Sequence, residues 1–268
     1  SVMTVILPSW QTRSYLVNCL DSLGSPPGVR IIVVDNASTD GSAEAAAARL
    51  PSGDVVRLPG NRGFACAVNA GLRLALEEAD AAGPVVLLNT DTLASPDALA
   101  ALAAHLAARP RAAAAAPQLL LRDGAPQPYG FGDDPVPGYL FRRGWRRLAG
   151  RRPLHDWGDP ETRSVDWVSF ACVALRREAV REVSLLDEAF YMYFEDTDWC
   201  LRARRRGWTI DRVPAARIVH FGGAGLRQNP CAARAYRTSL RLFYRKHYGP
   251  VRRLLLAAML PLYARLAK

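Results

Sequence analysis

The sequence has no CxxC pair, no zinc-finger spacing, no RNA-binding aromatic signature and no basic heptad region, so nucleic acid is not the expected partner despite the basic charge. Its five cysteines, Cys19, Cys66, Cys172, Cys200 and Cys231, are odd in number and dispersed. They outline no disulfide framework and point to a reducing cytoplasm. The turn after the first apolar run, Leu7-Pro8-Ser9-Trp10-Gln11-Thr12, lacks the glycine fingerprint of a dinucleotide site, which argues against a nicotinamide or flavin enzyme. No apolar run approaches the ~20 residues that span a bilayer. Residues 2–7 are too short for a secretory signal and lack a basic leader and cleavage site. No internal repeat is visible.

What is present fits one large α/β domain with a small appendage: 268 residues, half of them hydrophobic. The net charge of +10 comes mostly from arginine, concentrated at 142–152, 202–206 and 234–253. A regional positive field suits an anionic partner, either a nucleotide diphosphate or an acidic membrane. The apolar stretch 254–264, flanked by Arg252, Arg253, Arg265 and Lys268, reads as a C-terminal helix interrupted by Pro261, lying on lipid or packed on the domain.

Residues 2–7, 30–34, 54–58 and 85–88 are short runs of branched apolar residues, as in buried parallel strands. Between them lie helical stretches at 14–23, 41–50, 63–79 and 97–108. The alternation predicts a mostly parallel, Rossmann-like sheet flanked by helices. Ser38-Thr39-Asp40 and Ser95-Pro96-Asp97 supply helix-start chemistry. The alanine run 112–116 lies between Pro110 and Pro117, too short for a helix, and is read as a strand. Residues 122–163, rich in Gly, Pro, Arg and aromatics, read as a functional loop or lid. Beyond it, 165–175 reads as a strand, 176–183 and 197–206 as helices, 209–213 and 216–220 as two extended pieces, and 231–247 as a basic helix.

The polar residues that end these strands carry the chemistry. Asp35, after an apolar run, either accepts hydrogen bonds from a ribose or base or closes an Asx turn. Asn61-Arg62-Gly63 precedes a helix whose small residues, with Asn69 among them, permit close approach; Arg62 can meet a phosphate, while a helix cap explains the same pattern. Asn89 and Asp91 flank Thr90 in an extended segment and project to the same side, a placement suited to Mg²⁺ or Mn²⁺ bridging a diphosphate. His220 is a ligand or a satisfied core histidine. Glu195-Asp196-Thr197-Asp198 crowds three carboxylates into a first helical turn that needs one. Their repulsion raises pKa values, as suits a base working near neutral pH.

Taken in order, Val33-Val34-Asp35-Asn36 through Asp40-Gly41, Asn61-Arg62-Gly63-Phe64 through Asn69-Ala70-Gly71, Leu88-Asn89-Thr90-Asp91, Asp166-Trp167-Val168-Ser169, and Phe194 through Asp198 with Gly207-Trp208 resemble the family 2 glycosyltransferases. Within them the set is similar to the bacterial rhamnosyltransferase-like branch. The resemblance covers residues 2–225 and implies a GT-A fold, with a nucleotide-sugar half at 1–120, an acceptor and catalytic half at 121–225, and a basic helical extension at 226–268. It implies inverting transfer from a nucleotide-diphosphate sugar, dTDP-rhamnose favoured, to a glycan or lipid-linked acceptor at the inner face of the cytoplasmic membrane, with a divalent cation. Carried over residue by residue, it places Pro8, Trp10, Asp35, Asn61, Arg62, Gly63, Asn69, Asn89 and Thr90 at the donor, and Asp91 and His220 on the metal. Asp196 falls at the base, with Glu195, Asp198 and Trp167 in support on the acceptor side. Asn89 replaces an acid, so the cation is expected to arrive with the donor. Phe170 stands where glycine is usual and is expected to reshape the acceptor pocket. The competing readings are a sugar nucleotidyltransferase, whose glycine-rich basic triphosphate loop is absent, and a noncatalytic binding module, against which the acid cluster speaks.

Overall fold

The computed structural model describes residues 2–51, 54–78, 82–222 and 230–266. Four strand–helix steps open the chain: β1 Met3–Ser9, α1 Arg13–Leu23, β2 Val29–Asp35, α2 Ser42–Ala47, β3 Val55–Arg57, α3 Phe64–Glu77, β4 Val85–Leu88, then the short β5 Thr92–Leu93 and α4 Pro96–Ala108. There follow β6 Ala112–Leu120, β7 Phe131–Gly132, α5 Pro137–Leu148, β8 Arg163–Ser164, β9 Trp167–Val168, β10 Cys172–Leu175, α6 Arg177–Val183, α7 Glu195–Arg205 and β11 Thr209–His220. Two further helices close the described chain, α8 Pro230–His247 and α9 Pro250–Leu266. The expected boundary at 225/226 lies outside the described residues, as does the expected end of α3 at residue 79.

The main sheet runs β3-β2-β1-β4-β10-β6-β11, with β5 and β8 against parts of β11. The β1, β2, β3 and β4 pairings are parallel, as the apolar runs predict, and β6 pairs parallel with β11. Between these halves β10 inserts antiparallel to both β4 and β6, so the sheet is mixed. Parallel pairing puts the carboxyl ends of β1, β2 and β4 on one edge, where open α/β sheets hold their ligands. Helix α3 reaches β1 closely because Gly71 has no Cβ; one there would collide with Ile6.

Several elements differ from the sequence reading for identifiable reasons. The alanine run is indeed strand, and it continues to Leu120. Pro117 is accommodated by the register shift between Val213 and Arg217, a bulge that also joins the two expected extended pieces into β11. The expected strand 165–175 is broken by a turn between β9 and β10. Pro261 lies inside α9 without ending it. The supposed loop 122–163 contains α5, whose period was hidden because most of its apolar residues face outward.

Two buried clusters sandwich the sheet, and a third, comprising Leu140, Phe194, Leu201, Leu240, Phe243, Tyr244, Leu256 and Leu260, joins α5, α7, α8 and α9. The C-terminal helices are thus packed into the domain that presents α7.

Candidate active site

At the carboxyl edge, the loops after β1 and β2 are stitched together before any ligand arrives. Gln11 N donates to Ser38 Oγ at 3.0 Å, and Thr39 N donates to Gln11 Oε1 at 3.2 Å. Asn36 Nδ2 donates to Asn61 Oδ1 (2.9 Å) and Gly63 O (3.1 Å), while its Oδ1 accepts from Arg62 N (3.1 Å). The resulting pocket is lined by Pro8, Trp10, Asn36, Asn61, Gly63 and Phe64, with Tyr191 and Met192 across from a distant part of the chain. Pro8, Trp10, Asn61 and Gly63 are therefore brought together around one pocket. Sequence reasoning did not place Asn36, Tyr191 or Met192 there; the only signal in the sequence for the last two is an apolar pair just ahead of the acid cluster.

Asp35 closes the Asx turn that its position allowed and keeps one oxygen unused. Its Oδ2 accepts from Ser38 N at 3.0 Å, an Asx turn, while Oδ1 is buried without a partner. An orphan carboxylate oxygen is costly unless a donor completes it. Thr90 Oγ1 donates to Thr12 Oγ1 (3.0 Å), and Thr12 meets Ser9 Oγ (3.1 Å), tying the loop after β4 to the loop after β1. Asn89 is held through its backbone, its N–H donating to Ala171 O at 2.8 Å. Arg62 is exposed and reaches Glu188 at 3.4 Å, a loose pair. Asn69 departs from its expected place: it is buried, its Nδ2 donates to Leu186 O (2.9 Å) and its Oδ1 accepts from Leu186 N (3.0 Å). Its polar groups are consumed in pinning the loop after α6 to α3, and it does not line the pocket.

Antiparallel pairing of β5 with β11 brings Asp91 to His220. Their side chains approach to 3.2 Å, Asp91 Oδ1 to His220 Nε2. His220 Nδ1 lies 2.8 Å from Gln127 Oε1, which fixes the orientation of the ring and turns Nε2 toward the Asp91 carboxylate. An oxygen and a nitrogen that face one another at 3.2 Å can share a proton or a cation, and the set is of the type that divalent cations accept. Gly222 keeps the place open: a Cβ there would collide with Asp91 Oδ2 and lie 2.9 Å from His220 Nε2. Among the described residues no group of three or more His, Cys, Asp or Glu side chains converges on a metal site. Arg122 stacks over Phe221, the next residue after His220, at 4.6 Å.

The acid cluster divides its labour. Tyr193 and Phe194, just before α7, both take left-handed backbone, φ 66° and 69°, a strained conformation for aromatic residues. Packing holds the turn: Phe194 lies 5.0 Å from Tyr236 and 5.7 Å from Phe243 of α8. Asp196 is partly exposed, with Oδ1 accepting from Thr197 N at 2.6 Å. Burial pushes its carboxyl up to about 6, partly countered by hydrogen bonds from Thr197 and the Phe170 backbone. Glu195, buried with Oε2 unpartnered, rises well above the usual carboxylate range through burial and the Asp196 charge. Asp198 does not join them. Its fully buried carboxylate takes Arg202 Nε (2.8 Å), Lys246 Nζ (2.6 Å) and His247 Nε2 (2.7 Å). Burial alone would raise this carboxyl; His247, Arg202 and Lys246 outweigh it and bring it down to about 2.

Trp167 on β9 is half-buried and donates to Asp133 O at 3.0 Å. Phe170 does not fill an acceptor pocket: it is buried against Trp199, ring centroids 5.9 Å apart, and only its backbone addresses Asp196. The bulk expected at the acceptor is spent in the core instead.

The sequence model of glycosyl transferase family 2 matches residues 4–183. The chain is 30% identical over 248 residues to the N-acetylglucosaminyl-diphospho-decaprenol L-rhamnosyltransferase of Mycobacterium tuberculosis, covering 86% of this chain and 80% of that protein. Among solved structures, GalNAc-T7 with UDP, GalNAc and Mn²⁺ superposes with a TM-score of 0.59 at 17% identity over 83% of this chain. S. aureus TarS 1-349 gives 0.57 at 15% identity over 91%. These two share the fold; the chain spans 44% of the former's length and 64% of the latter's.

Proposed function

This chain belongs to glycosyl transferase family 2 and is a glycosyltransferase, and from that premise we propose that it moves rhamnose from dTDP-rhamnose to a hydroxyl of a lipid-linked glycan with inversion at the anomeric carbon. The observation that carries the chemistry is the environment of Asp196, a partly exposed carboxyl raised to about 6 at a turn stabilised from three helices. The choice of rhamnose and of an N-acetylglucosaminyl-diphospho-lipid acceptor rests on what the mycobacterial relative is named for.

In this reading the nucleoside enters the pocket between Pro8, Asn61 and Tyr191, and its ribose or base satisfies Asp35 Oδ1. Asp91 and His220 would hold a divalent cation, Mg²⁺ or Mn²⁺, beside the donor diphosphate. Such a cation would supply positive charge against that building on the departing diphosphate. Asp196 accepts the proton of the acceptor hydroxyl as that oxygen attacks from the face opposite the diphosphate. Glu195, its carboxyl pushed well above the usual range by burial and the Asp196 charge, flanks the base, and Trp167 borders the acceptor. Asp198 is a structural tie that fixes the start of α7 to α8.

Two outcomes test the donor site. A thermal-shift panel of dTDP, UDP, GDP and CDP, each with and without Mn²⁺, is expected to give its largest stabilisation with dTDP and metal, about 2.7 kcal/mol at 100 times the dissociation constant. Equal shifts for all four, or none, would remove the donor assignment. Gly222→Ala is expected to abolish the Mn²⁺ increment while the metal-free shift persists, because the new methyl occupies the space between Asp91 and His220. An undiminished Mn²⁺ increment would place the cation elsewhere.

A further inference from the structure

Helix α5 is amphipathic with its apolar stripe outward. Phe141, Trp145 and Leu148, at spacings of four and three on one face, are 65%, 61% and 55% exposed, while Leu140 on the other side is buried with Leu256 and Leu260. Helix α9, packed against α5, repeats the arrangement: Val251, Leu254 and Leu255 are 70%, 73% and 48% exposed, and Leu256 and Leu260 point inward. A surface stripe of this kind on two adjoining helices is not needed for folding and marks a docking face.

Charge selects the occupant. Residues 137–155 contain six arginines and no acid, and residues 230–268 contain no Asp or Glu at all. A second copy docked through this face would oppose like charges, and a soluble polyanion would leave the aromatic and aliphatic stripe in water. An anionic bilayer satisfies both halves: Trp145, Phe141 and the leucines enter the boundary between headgroup and acyl chain, and the arginines meet the phosphates. Among the described residues no helix is long and apolar enough to cross a membrane, so such contact lies on the surface.

We infer that the outer faces of α5 and α9 together form an anionic-lipid docking surface. The inference deepens the lipid-linked reading and rests on it for its purpose, since it would hold the site at the level where a lipid diphosphate acceptor emerges. Both stripes belong to helices packed in the cluster that supports Phe194, so docking at this face and presentation of α7 share one rigid support.

The test is co-sedimentation of the full chain with vesicles of phosphatidylcholine alone and of equal parts phosphatidylcholine and phosphatidylglycerol. The wild type is expected to bind the mixed vesicles and not the neutral ones. The double substitution Phe141→Ser with Trp145→Ser, and separately Leu254→Ser, should each weaken that binding about tenfold or more, with thermal melts unchanged because these side chains are exposed. Mixed-vesicle binding by the variants equal to wild type would overturn the proposal. So would a concentration-dependent dimer of the wild type that the same substitutions abolish, which would give the face to a second copy. Turnover of a short-chain, water-soluble acceptor by the same variants is expected at the wild-type rate, which separates failure of the docking face from failure of the transferase reading.

Discussion

Asp196→Asn is expected to lower kcat by about 10²–10⁴-fold while donor binding stays at the wild-type level. The amide is nearly isosteric and can still accept from Thr197 N, so the turn before α7 keeps its geometry. What it cannot do is take the acceptor's proton. The pH profile supplies an independent readout. A base must be unprotonated to work, and burial holds this carboxyl up to about 6, so kcat/KM of the wild type should fall tenfold per pH unit below about pH 6. Because Glu195 titrates in the same field, the observed midpoint belongs to the pair. In the Asn variant that acid limb should disappear from whatever residual rate remains. A profile flat from pH 5 to 8 in the wild type would be incompatible with Asp196 as the base.

Asp198→Asn is expected to be the most destabilising single change at the site, and its loss of activity should follow the loss of folded protein. The fully buried carboxylate is the common partner of Arg202, Lys246 and His247, and the substitution leaves cationic groups facing an uncharged amide. Breaking a buried network costs roughly 3–5 kcal/mol; Arg202 and Lys246 remain 22% and 28% exposed, which places this case at about 3 kcal/mol, roughly a 5 °C fall in Tm. Linkage gives a second signature. The folded pKa lies below the unfolded value, so the carboxylate's contribution is present above about pH 4 and lost as pH falls toward 2. The variant should therefore show a shallower decline in stability across that range. Equal melting temperatures for variant and wild type at pH 7 would show that the tie does not hold α7 to α8.

The fold was legible in the N-terminal half because the period of its residues is simple. Buried parallel strands are runs of Val, Ile and Leu, and Ser95-Pro96 marks the start of α4 with a side-chain cap, Ala98 N donating to Ser95 Oγ at 3.2 Å. The antiparallel insertion of β10 had no such mark: Cys-Val-Ala-Leu is as apolar as its parallel neighbours, and strand direction depends on the path of the chain between strands. Helix α5 was unreadable for the opposite reason, since its strongest apolar stripe faces solvent and its short run is crowded with arginine.

At the candidate site, the position of residues standing directly at strand ends is legible in sequence, as with Asp35, Asp91 and His220. That of residues whose role depends on a contact with a distant element is not. Asn36 organises the 61–63 loop across 25 residues or more, and Tyr191 and Met192 reach the pocket only through the turn before α7. Asp198 looked like its neighbours in sequence because nothing there reveals that Lys246 and His247 return to it from α8. Asn69 failed in the same way, its partner Leu186 being 117 residues away.

The most direct test of the account is transfer of labelled rhamnose from dTDP-rhamnose to a short-chain N-acetylglucosaminyl diphospholipid, run side by side for wild type and Asp196→Asn, with donor binding measured on the same preparations. The expected result is an inverted rhamnosyl product from the wild type, and from the variant intact donor binding with transfer reduced at least about a hundredfold. Near-normal transfer by the variant with full donor binding would contradict the assignment of Asp196 as the base.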